Sequence, residues 1–179
     1  MDIKLTDQNI WQSTLTFALL GLVLSVPLLL LYREEAFRRS IRSISIASAI
    51  FWGVLATVAI FAAWKLYYQY LYPAWMRWLA PADALLYGLF GLGMWWLAAQ
   101  LAMRLPGSSL LWFLLLGGIE GILEHIFGIY SLHILEKVPW LQGVSPFPVI
   151  IFSFFEYIVY WGVVTWLSYG WLAVSGMLR

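Results

Sequence analysis

The stretch LLLGGIEGILEHIFGIYSLHILEK (residues 114–137) holds two kinds of residue that rarely share a helix. Its apolar run is long enough to cross hydrocarbon, yet it contains Glu120, Glu124, His125, His133 and Glu136. Those are both histidines of the chain and three of its nine acidic residues. An acidic side chain near the centre of a spanning helix costs on the order of 2.5–3.5 kcal/mol, and a Leu or Ile there returns only about 0.3–0.6. Acids at such positions are therefore expected to face protein or a cavity, and to mark a functional centre.

The rest of the chain fits a membrane setting. Of its 179 residues 63% are apolar and 11% charged, against roughly 25% charged in soluble domains. Mean hydropathy is positive. Twelve Trp and ten Tyr suit the headgroup boundary, where a ring can bury its body and wet its polar tip. A net charge of +1 with no basic stripe gives no footprint for nucleic acid, and none is expected as a partner. The absence of cysteine excludes disulfides, thiolate metal sites and a cysteine nucleophile.

A span needs about 20 mainly apolar residues. Five segments qualify, at about 10–32, 44–68, 84–103, 110–135 and 147–174. The expectation is a single all-α integral membrane domain over residues 1–179, a bundle of five transmembrane helices. The aromatic and polar run after the second span (67–83) is expected to lie along the interface, with Asp83 capping the third span. Pro27 falls inside the first span, which is tolerable if a neighbour covers the freed backbone. The amino-terminal residues lack the basic start of a secretory signal, so the first span is read as a retained helix. RLPGSS (104–109) is predicted to be a tight turn ending in a serine cap. EKVPWLQGVSPFP (136–148), with three prolines, is predicted to form a fixed lid or re-entrant turn. Arg33, Arg38, Arg39 and Arg42 cluster in the first loop. By the positive-inside rule the carboxy terminus is then cytoplasmic and the amino terminus outside.

The buried acids can be placed by helical geometry. At 100° per residue Glu124 falls within about 20° of Gly117, and Gly128 and Gly121 lie within about 40°. Glu120 is beside that stripe and His125 off to one side. Gly117 and Gly121 have the small-xxx-small spacing that lets another helix come close. The fifth span returns antiparallel, so residues at equal depth have numbers summing to about 280. Glu124 then meets the level of Glu156, and Glu120 that of Tyr160. The candidate catalytic set is Glu124, Glu156, His125, Glu120 and Tyr160. Glu124 is the principal acid/base, Glu156 its partner across the helices, His125 a tuning group and Tyr160 a hydrogen-bonding phenol. Three acids at one dry level cannot all stay ionised and alone, so at least one is expected to be protonated, paired with His125 or bound to a cation.

Several uses of this cluster follow. Glu120, Glu124, His125 and Glu156 form an oxygen-rich set suited to a divalent metal. Without metal, the carboxyls and imidazole suit acid–base work on a membrane lipid or lipid-soluble small molecule. Midplane carboxyls also carry protons or cations in transporters. The same groups can instead act as helix glue in an accessory subunit, with the glycine stripe facing another chain of a homo-oligomer or larger complex. His125 and His133 are about 12 Å apart along one helix and cannot clamp a single haem iron. Trp95, Trp96, Trp161 and Trp166 are read as core or lipid-facing, and Gly88 and Gly91 as packing positions.

Overall fold

The computed structural model describes residues 4–33 and 68–174, and within them the side chains of all but residues 68, 77–88 and 172. The second expected span, the arginines beyond Arg33 in the first loop and the side chain of Asp83 lie outside the described residues.

The described chain is helical throughout, with no strand among the described residues. Helix α1 runs Asp7–Leu31, α2 Ala80–Ala102, α3 Ser109–Tyr130, the short α4 Ile134–Lys137 and α5 Pro146–Val174. Three of these, α1, α3 and α5, are long and apolar enough to cross a membrane. The described part of α2 contributes a shorter apolar stretch, Leu89–Ala102. Between residues 68 and 80 the chain makes two 3-10 turns, Tyr68–Tyr70 and Ala74–Leu79, before α2 begins.

Helix ends follow local chemistry. α1 starts three residues before the expected span because Thr6 and Asn9 close a reciprocal cap, which satisfies two of the orphaned first-turn N–H groups. Ser108 caps α3 by accepting from the Leu111 N–H at 3.1 Å, as the RLPGSS turn implies. α3 ends at Tyr130, five residues short of the expected boundary. The break lies at Ser131–His133, where His133 adopts a left-handed backbone with φ of 57°. That conformation is uncommon for a residue with a Cβ and cannot continue a right-handed helix. α5 starts on Pro146, where the missing N–H would have had no intrahelical partner.

α5 is the central rod. α1 packs along it on one side and α3 on another, and α2 packs against α3. One core, at the α2 end, gathers Leu28, Trp95, Phe113, Leu114, Trp161 and Val164. Trp95 stacks on Phe113 at 4.0 Å, and Phe113 meets Trp161 edge-on at 5.4 Å. Trp96, by contrast, is 67% exposed on the outer face of α2. The core and outward readings of these rings are thus both represented. At Pro27, Trp166 donates its indole N–H to the Leu24 carbonyl at 3.0 Å. That is one residue from the carbonyl whose partner a proline removes.

A second core, formed by Ile10, Ile129, Ile134, Val138, Val144 and Val149, lies under residues 131–145. This segment is a packed lid. Its Trp140 carbonyl accepts from the Leu5 N–H at 2.9 Å, and its Ser145 N–H donates to the Asp7 carboxylate at 2.7 Å. Tyr70 sets its ring edge-on to Trp140 at 5.5 Å. The start of α1 and the chain before α2 therefore both hold the lid down.

Candidate functional site

The glycine stripe of α3 meets α5, as its spacing implies. A Cβ on Gly121 would come within 2.5 Å of the Ser153 backbone oxygen, and one on Gly117 within 2.4 Å of the Trp161 ring. These are not distances atoms can hold, so only glycine admits α5 at this separation. Gly117 and Gly121 are consequently covered by the chain's own α5, and Gly128 faces Ile134.

Close approach brings the acids of α3 onto side chains of α5. The Tyr157 hydroxyl donates to Glu124. The Trp161 indole N–H donates to Glu120 at 2.8 Å. Steps of four along α3 thus match steps of four along the antiparallel α5, one residue away from the expected level. One residue is 100° of rotation, which changes the partners. Tyr157 supplies the phenol at Glu124. Tyr160 lies with its ring 5.6 Å from that of Tyr157 and edge-on to Trp161 at 5.7 Å. Tyr157 escaped the sequence reading, and Trp161 entered it only as a core or lipid-facing ring. A buried indole needs an acceptor, and Glu120 was an available one at nearly the same depth.

Glu156 and His125 form the other half of the arrangement. His125 Nδ1 lies 3.0 Å from the Gly121 carbonyl. A carbonyl only accepts, so Nδ1 carries the proton and neutral His125 presents a lone pair at Nε2. Nε2 faces Glu156 Oε2 at 3.6 Å, close enough for electrostatic coupling and too long for a direct hydrogen bond. The imidazole stands perpendicular to the Tyr157 ring at 6.1 Å. Glu156 Oε2 and Glu120 Oε1 are buried oxygens without a hydrogen-bond partner among the described residues.

These side chains are not equivalent in access. Glu124, His125, Glu156 and Tyr157 line a cavity of about 600 Å³, which falls in the usual range for small-molecule sites. Its other walls are mostly hydrocarbon, with Ile10 from α1, Phe152 from α5, and Ile134 and Leu141 from the lid. Glu120 and Tyr160 are not among the lining residues; Glu120 sits a turn deeper, toward the Trp161 core. Of the expected cluster, Glu124, His125 and Glu156 face the cavity, joined there by Tyr157, while Glu120 pairs with Trp161 and Tyr160 lies outside the lining. His133 and Glu136 stand apart on the lid, exposed, with Nδ1 3.8 Å from Oε1.

The metal expectation is not met. Among the described residues no group of three or more His, Asp or Glu side chains is placed to hold one ion. Glu120 is turned to an indole, Glu124 to a phenol, and His125 points Nδ1 back at its own helix. Three of the four candidate ligands, all on α3, thus hold protein partners instead of sharing an ion.

No family model, curated protein or solved structure matches this chain. The functional reading therefore rests on the site itself.

Proposed function

We propose that this chain is a multi-pass membrane enzyme that acts on a lipid-soluble molecule by acid–base chemistry in the cavity beneath the lid. The observation that carries the reading is the cavity wall. It is mostly apolar, and Glu124, Glu156, His125 and Tyr157 converge on one side of it. A carboxyl hydrogen-bonded to a phenol, beside an imidazole with a free lone pair, can take up and return a proton at one place. Glu124 is the principal acid/base in this scheme, with Tyr157 as its hydrogen-bonding partner. Glu156 and His125 form a second exchanging pair across the helices. The three long apolar helices support insertion in a bilayer, and the arginines of the first loop favour an amino terminus outside and a carboxy terminus in the cytoplasm.

The test compares lipid extracts of membranes that contain wild-type protein or Glu124→Gln at equal abundance. The expected result is a lipid species whose level changes with the wild type and returns to baseline with the variant. Identical extracts from the two membranes would remove the enzymatic reading.

A second reading is favoured by Glu120, whose buried Oε1 has no hydrogen-bond partner among the described residues and lies a turn below the cavity. Carboxyls at successive depths suit the passage of protons. In that case proton flux into liposomes depends on both Glu120 and Glu124, and the lipid extracts do not differ.

A further inference from the structure

One part of the lid is fastened differently from the rest. Val138 and Val144 are 0% and 5% exposed and anchor the lid in the core beneath it. Between these anchors Pro139, Gln142 and Gly143 are exposed, and Trp140 and Leu141 are half-buried. Leu141 lines the cavity, as do Leu5 and Ile10 of the amino-terminal segment. The Leu141 N–H donates to the Val138 carbonyl at 3.0 Å, and the Val144 N–H to the Leu141 carbonyl at 3.1 Å, so the stretch holds its own shape as one compact turn. Its ties to neighbours are of another kind. The Leu5 N–H donates to the Trp140 carbonyl at 2.9 Å, the Gln142 side-chain amide donates to the Glu136 carbonyl at 2.9 Å, and Trp140 meets the Tyr70 ring. Water competes for hydrogen bonds at a surface, so each of these holds weakly.

The backbone supplies a hinge. Gly143 has a φ of 92°, a region open to glycine and strained for residues with a Cβ. A residue with that freedom, next to the buried Val144, can absorb a change in chain direction while the anchor stays in place. Glu136 and Lys137, exposed on the preceding turn, set the outer side of the stretch toward water. We propose that residues 139–143 are a flap that opens the cavity to the aqueous phase, swinging between Val138 and Gly143 with Leu141 as its stopper. The inference rests on reading the space beneath the lid as a site. Closed, the flap covers the acids. Open, it admits water and small water-soluble molecules, and Glu124 and Glu156 exchange protons with the medium.

The chain has no cysteine, so a single introduced thiol is its only thiol. Ser13→Cys, nearly isosteric, places one in the cavity wall. Thr165→Cys places one at a fully buried position of α5 and serves as the control. The full chain in nanodiscs is treated with a charged, membrane-impermeant thiol reagent, and the rate of labelling is followed by mass spectrometry. Ser13→Cys is expected to label slowly. Gly143→Ala is expected to speed that labelling by about 5–30-fold, the factor by which left-handed strain in the closed flap shifts the balance toward the open one. Trp140→Ala, which removes the ring contact with Tyr70, is expected to act in the same direction by an independent route. Thr165→Cys is expected to stay unlabelled in both backgrounds. A Ser13→Cys rate left unchanged by both variants overturns the flap and leaves the cavity reachable by another path. Labelling of Thr165→Cys that rises in step with Ser13→Cys reports general loosening and also overturns the flap. A thiol at position 13 that neither this reagent nor a lipid-soluble maleimide modifies, with or without the variants, overturns the flap and the site reading together.

Discussion

Replacing Gly121 with alanine tests the contact on which the whole site depends, because two effects of opposite sign compete there. In an unconstrained helix the change is favourable by about 1 kcal/mol, since glycine has the larger backbone entropy to lose. Here the new methyl would lie 2.5 Å from the Ser153 carbonyl oxygen and 2.6 Å from Tyr157 Cγ. Carbon and oxygen approach to about 3.3 Å even in close C–H···O contacts, so α3 and α5 must part by most of an ångström. The obstacle is main chain and cannot rotate aside. Overpacking of this kind costs about 1–3 kcal/mol, and the upper half of that range applies. The expected balance is a net loss of about 1–2 kcal/mol, together with a longer Tyr157–Glu124 separation. Gly93 is the control. No atom of the described residues would lie within 4 Å of a Cβ there, so Gly93→Ala is expected to gain about 0.5–1 kcal/mol. Reversible unfolding in mixed micelles, followed by circular dichroism against the detergent mole fraction of dodecyl sulfate, reads both. Gly121→Ala as stable as wild type, or more so, refutes the close approach and with it the placement of the acids against α5.

Three other outcomes are expected. Trp161→Phe strands a carboxyl oxygen of Glu120 and is expected to cost about 1–3 kcal/mol from that loss alone; in a double-mutant cycle with Glu120→Leu the two changes should couple by about 0.5–3 kcal/mol, and additivity would deny the bond. Tyr157→Phe is expected to lower turnover in folded protein more than Tyr160→Phe does, and equal effects would contradict the assignment of the phenol. Asp7→Asn weakens the tie to the Ser145 N–H, so backbone hydrogen exchange over 139–145 is expected to quicken while α3 and α5 keep their protection.

Much of the scaffold was legible because its signals are local or periodic. Apolar run length marked α1, α3 and α5, the RLPGSS chemistry announced the Ser108 cap, and the Gly117–Gly121 spacing announced a tightly packed neighbour. The antiparallel return of α5 put Glu156 and Glu124 into the same neighbourhood. What sequence could not supply was rotation. A register error of one residue leaves depth almost unchanged and turns the helix by 100°, enough to exchange Tyr160 for Tyr157 and to bring Trp161 onto Glu120. The metal expectation failed on related ground: Glu120 and Glu124, one turn apart on α3, each meet a donor of α5, Trp161 and Tyr157, instead of sharing an ion. The end of α3 was missed because Leu132, Ile134 and Leu135 prolong the apolar pattern past it, and nothing local marks His133 for a left-handed backbone.

The order of α3 before α5 in the chain has a consequence for biosynthesis. Glu120 and Glu124 belong to a segment that leaves the ribosome before Tyr157 and Trp161 have been made, and α1 emerges earlier still. In a bilayer these acids must wait beside lipid, water or the translocation machinery until α5 is delivered. A nascent chain stalled before α5 would thus carry exposed carboxyls at membrane depth, a recognisable mark of an unfinished product for quality-control proteases.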